Sequence, residues 1–121
     1  MVTRPVDRKF QKELNAGTAA LVLLSIVARA PEPIYGYQIA KQLYSGISEA
    51  PIMKQGALYP VLRSLERTGL LTSEVEPSVA GPPRRYYRAT DEGRAALERW
   101  TNMWSEEKAF VEFVLKGTNH E

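Results

Sequence analysis

The chain has 121 residues, 44 % of them hydrophobic and 25 % charged, with a formal net charge of +2. That length and mixture describe one globular domain, or one domain with an appended helix, and exclude wholesale disorder. Cysteine is absent, which excludes disulfides and thiolate metal sites and fits a reducing cytoplasm.

Residues 1–9 are polar and hold Pro5, and residues 1–11 are expected as a flexible arm. From residue 12 to 29 the chain is apolar on nearly every side, around Ala19, Leu21, Leu23, Leu24, Ile26 and Val27. Such a first helix must be covered all round, and one small domain covers only one side. A second copy of the chain is the economical source of the rest. Pro31 and Pro33 stop the helix. The apolar run of residues 19–28 is too short to span a bilayer, and no export signal is expected ahead of it.

A second helix is expected over residues 36–44, with Ile39, Ala40 and Leu43 inward, then a turn bracketed by Gly46 and Pro51. A third begins near Gln55 and ends at Gly69, a fitting C-cap. Leu58, Leu62 and Leu65 recur at helical spacing, and Val61 widens their stripe. Pro60 is expected in or next to the first turn, where few amides have a helical acceptor. Residues 71–76 and 84–89 read as short strands, joined by a Gly/Pro loop too long for a tight hairpin turn. Thr90 then caps a final helix reaching about residue 117, roughly 40 Å long at 1.5 Å per residue. Residues 118–121 remain as a tail.

Two short amphipathic helices across a polar turn, followed by a basic strand, compose a winged helix-turn-helix. The expected fold class is α+β, mainly α: the winged unit over residues 12–90 and a long C-terminal dimerisation helix over 91–117. Charge divides the same way. Residues 35–90 carry seven Lys/Arg against four acids, and residues 91–121 carry four against seven. A basic module with an acidic tail helix suits one face meeting phosphates.

The third helix needs an apolar back and a polar front for double-stranded DNA. Lys54 and Gln55 lead it and are the candidates for base edges; Tyr59 and Arg63, four apart, share one face. Tyr37 and Lys41 are candidates for backbone contacts, with half-buried packing as the alternative for Tyr37. Arg84 and Arg85 would grip the minor groove or flanking phosphates, while Tyr87 reads as strand core.

Along the final helix Leu97, Trp100, Trp104, Glu107, Val111 and Val114 are spaced as a coiled-coil seam, which Met103 and Phe110 widen. Pairing with another chain is expected, with Glu107 interrupting a dry contact. Trp100 and Trp104 are either dimer core or the walls of a cavity that stacks on a flat aromatic ligand. His120 is the only histidine, and there is no Gly-rich phosphate loop. Zinc sites and histidine-based catalytic constellations therefore do not assemble: no enzyme and no cofactor are expected.

At Tyr35-Gly36-Tyr37-Gln38-Ile39, at residues 56–70 and at residues 84–93 the chain resembles the PadR family of bacterial transcriptional regulators. Three motifs in register cover about residues 12–116. The single C-terminal helix is similar to the shorter branch of the family, which includes a multidrug-sensing repressor. The resemblance implies a homodimer on operator DNA, the final helix lying against the first helix of the partner, with Leu14, Leu21, Leu97, Met103, Val111 and Val114 at the dimer contact. It also implies repression and a planar aromatic effector held near Ala20, Leu24, Trp100, Trp104 and Lys108. Trp100 stands where the sensor has a small residue, so it either fills or lines that cavity. Two rivals stay open: a winged helix that docks another protein, and a ligand-binding dimer without DNA activity.

Overall fold

The computed structural model describes residues 4–44 and 55–117. Among these residues four helices and three strands follow in the order α1 (Pro5–Arg29), β1 (Ile34–Tyr35), α2 (Gly36–Tyr44), α3 (Gln55–Arg67), β2 (Leu71–Glu76), β3 (Arg84–Ala89) and α4 (Asp91–Leu115). The fold is mainly helical, with one small antiparallel sheet in the order β1-β3-β2. Among the described residues no helix is long and apolar enough to cross a membrane.

The first helix starts earlier than expected, which corrects the boundary of the arm. Pro5 takes the first helical position, where its missing N–H costs nothing, and Asp7 lies in the first turn. Lys9 then pairs with Glu13 at 2.7 Å, and the Gln11 amide donates to Asn15 at 2.9 Å. These contacts carry the helix across a polar stretch, because one-turn spacing sets such side chains side by side.

Farther on, α1 becomes the spine of the core. Ala19, Leu23, Leu24, Val27 and Ala28 are buried against Ile39 of α2, Leu58, Leu62 and Leu65 of α3, and Leu71, Tyr87 and Ala89 of the sheet. The other side of α1, at Ala20, Leu21, Val22 and Ile26, is half-buried.

The end of α3 is closed by Gly69 at φ 84°, with Leu70 donating back to the Leu65 carbonyl and Gly69 to that of Glu66. Those bonds are the paired closure that favours glycine at this position. Pro60 sits in the second turn of α3, next to the first. Its ring is exposed, so the helix continues past it without a steric conflict in the core. Thr90 caps α4: its hydroxyl accepts from the Gly93 amide at 2.9 Å and donates to the Gly69 carbonyl at 2.7 Å. Gly93 is required by that closeness, since a β-carbon there would run into the Leu70 backbone. Arg94 then ties α4 to the end of α1 by donating to the Ala28 carbonyl at 3.0 Å.

Candidate nucleic-acid interface

Burying Leu58, Leu62 and Leu65 turns the opposite side of α3 outward. That side presents Tyr59 and Arg63 one turn apart. Arg63 is exposed and makes no ion pair or hydrogen bond among the described residues, so its guanidinium edge is available. Tyr59 has a second task. Its ring lies over Gly36 at the start of α2, where any β-carbon would collide with the phenol. The two helices cross closely there because position 36 has no side chain.

On α2, Tyr37 and Lys41 stand exposed one turn apart. Tyr37 is 64 % exposed, which decides against packing in the core. Lys54 lies outside the described residues. Gln55 opens α3, and its side chain is likewise outside them.

The wing is the β2–β3 hairpin, in register from Leu71 opposite Ala89 to Glu76 opposite Arg84. Side chains alternate across a strand, so the two neighbouring arginines diverge. Arg85 faces α3. Its guanidinium donates to the Ser73 hydroxyl at 2.9 Å, and Ser73 donates to the Glu66 carboxylate at 2.7 Å. Arg84 faces the other way and lies 4.5 Å over the ring of Tyr35. Tyr35 meets Tyr86 edge-on at 5.2 Å and Tyr37 face-on at 6.4 Å.

Tyr87 is core, as its strand position implies. Burial pushes its phenol above the ordinary value, Arg85 and Arg63 pull it back, and Glu66 and Tyr59 push it further. The hydroxyl therefore stays neutral near pH 7, ringed by the side chains of α3 and the wing. Arg63 and Arg85 thus share one neighbourhood, while Arg84 belongs with α2.

Sequence reasoning missed Tyr35, Tyr86, Ser73 and Glu66 as organisers of these arginines. Strand alternation was the available signal for the divergence of Arg84 and Arg85. The two-residue β1 carries no period of its own.

A separate hollow lies between α1 and α4, about 430 Å³ in volume and open to one side. Gly17, Ala20, Leu21, Trp100, Met103, Trp104 and Glu107 line it. A smaller one of about 300 Å³ lies beyond Trp104, over Leu21, Val22, Ser25, Ile26, Leu97 and Thr101. Ala20, Trp100 and Trp104 are therefore brought together. Leu24 and Lys108 are not: Leu24 is fully enclosed in the core, because its side of α1 faces α3 and the sheet, and Lys108 is exposed outside both hollows. Trp100 packs on the core with one side and lines the larger hollow with the other. From Thr101 to Lys116 every residue of the final helix is exposed, including Phe110, Phe113, Val114 and Leu115. Val6, Phe10 and Leu14 of α1 are exposed as well.

Known proteins share this architecture. Residues 23–99 match the model of the transcriptional regulator PadR-like family. The transcriptional regulator Rv3488 of Mycobacterium tuberculosis is 40 % identical over 91 residues, 74 % of this chain and 75 % of the relative. A PadR family transcriptional regulator from Eggerthella lenta superposes with a TM-score of 0.77 at 34 % identity, covering 93 % of this chain and 94 % of the other. A PadR-like transcriptional regulator from Bacillus cereus does so with a TM-score of 0.69 at 27 % identity, covering 87 % and 98 %.

Proposed function

The chain belongs to the PadR-like family of transcriptional regulators, and from that premise we propose that it works as a homodimeric, sequence-specific repressor released by a planar aromatic effector. The observation that carries the DNA reading is exposed Arg63 on the outward side of an α3 whose other side is core, with Arg85 of the wing tied through Ser73 to Glu66 of the same helix. Each chain offers one α3 to a major groove, with the wing beside it. Arg63 reaches a base edge or a phosphate, Tyr59 and Tyr37 take backbone oxygens, and Arg85 and Arg84 meet phosphates flanking the groove. Lys54 and Gln55 remain the candidates for base edges.

The second chain is supported by the apolar side chains left open on the last half of α4 and the first half of α1. Exposed apolar side chains in that number suit an interface. A partner's α4 against α1 covers Leu14 and Leu21 with Leu97, Met103, Val111 and Val114. The effector reading is supported by the hollow at Trp100 and Trp104, apolar-walled with one carboxylate at Glu107. Such a lining suits a flat aromatic molecule.

Selection of duplexes from a random-sequence pool tests the reading. The expected result is an enriched, roughly palindromic site whose half-sites lie one helical turn apart. Recovery of no sequence above background contradicts it.

A further inference from the structure

Tyr35 is half-buried at the end of the short strand β1, where its register partner on β3 is Tyr86. Its neighbour Ile34 turns into the core; Tyr35 turns to the outer face of the sheet. There the Arg84 guanidinium covers its ring at 4.5 Å, and Tyr86 supports it edge-on at 5.2 Å. A guanidinium held by its face keeps its N–H groups in the plane and free to donate sideways. Arg84 is exposed and makes no ion pair among the described residues.

Tyr35 also immediately precedes α2. Its backbone N–H donates to the Gln38 side chain at 3.1 Å, the return bond by which a residue in the first turn fastens the residue before the helix. Exposed Tyr37 leans on the same ring at 6.4 Å. One aromatic side chain is thus fixed to α2 by its backbone and to the wing by its ring.

We propose that Tyr35 is a positioning residue for DNA binding: its ring holds the Arg84 guanidinium beside the start of α2, so that Arg84 and Tyr37 meet one stretch of phosphate backbone together. This rests on the DNA-binding reading above. Without the ring, the arginine is a freely rotating side chain at the edge of a loop, and its contact with the phosphate is lost, so one phosphate fewer is neutralised in the complex. Tyr35 itself touches no phosphate.

The test uses the full chain and a duplex recovered by selection, with affinity measured across a range of potassium chloride. Arg84→Ala lowers the log–log salt slope by about one unit, the change expected when one phosphate is no longer neutralised. Tyr35→Ile weakens binding about fivefold with a comparable fall in slope, while Tyr35→Phe, which keeps the ring, restores both. The double variant Tyr35→Ile/Arg84→Ala binds no more weakly than Arg84→Ala alone, because the two act through one phosphate. A merely structural role would instead lower the melting temperature and leave the slope unchanged. Tyr35→Leu serves if the Ile variant does not fold. An unchanged slope in Tyr35→Ile, or effects that add in the double variant, overturns the proposal while leaving the DNA reading intact. A wild-type chain that binds no duplex overturns both.

Discussion

The phenol of Tyr59 occupies the space that a β-carbon at position 36 would need, so Gly36 and Tyr59 together fix how closely α2 approaches α3. Gly36→Ala forces the ring aside, and overpacking of this kind costs about 1–3 kcal/mol. The variant is expected to melt several degrees lower and to bind DNA more weakly. Tyr59→Ala removes the obstacle, so Gly36→Ala/Tyr59→Ala should lose less stability than the sum of the single changes. Strict additivity in denaturant melts would show that the two residues do not meet.

Arg63→Ala and Arg85→Ala are each expected to reduce the salt dependence of DNA affinity by about one log–log unit. Both side chains are exposed, so the folded chain should hold nearly its full stability. Ser73→Ala leaves both charges in place and removes the hydroxyl between Arg85 and Glu66. Its effect on slope should be smaller than that of Arg85→Ala. Unchanged affinity in both arginine variants would remove this face from the account.

Tyr87 carries a pH dependence with a definite sign. Burial holds its pKa above the ordinary phenol value of 10.0, so the unfolded chain gives up this proton first. The stabilisation is complete below about pH 10 and is lost as the pH rises through the folded-state value. Tyr87→Phe should flatten that alkaline loss in urea melts followed from pH 9 to 11. An equal alkaline loss in the variant would place the titration elsewhere.

The two strands of the wing, the cap at Thr90 and the stop at Gly69 were legible because each is written locally, in turn residues and a two-residue period. The apolar back of α3 was equally plain from Leu58, Leu62 and Leu65. Three features were not. Residues 5–11 of α1 bury no side chain, since Val6 and Phe10 are exposed, and their helix rests on Pro5, the Lys9–Glu13 pair and continuity with the buried half. The strand β1 exists only through pairing with Tyr86 and Tyr87, far along the chain. The resemblance puts Leu24 at the cavity, and the sequence alone could not correct it, because every side of an apolar helix looks alike until the packing shows which side faces the core. The divergence of Arg84 and Arg85 is implicit in strand alternation, yet what each one meets depends on Tyr35 and Ser73.

Trp104 is 43 % exposed and stands between the two hollows, so its fluorescence reports on either. Titration with planar aromatic compounds is expected to quench it. Trp104→Leu should weaken binding by about fivefold, near the 1 kcal/mol that an aromatic stack contributes beyond burial. A broad panel that produces no quenching would leave both tryptophans as dimer packing.

The central claim is that two chains, joined through α1 and α4, offer their third helices to one duplex. Native mass spectrometry of the complex with a single selected site tests it most directly. Two chains per duplex are expected, and the free protein at twice 13.6 kDa at micromolar concentration. One chain per duplex, from a free protein that remains a well-folded monomer, would contradict it.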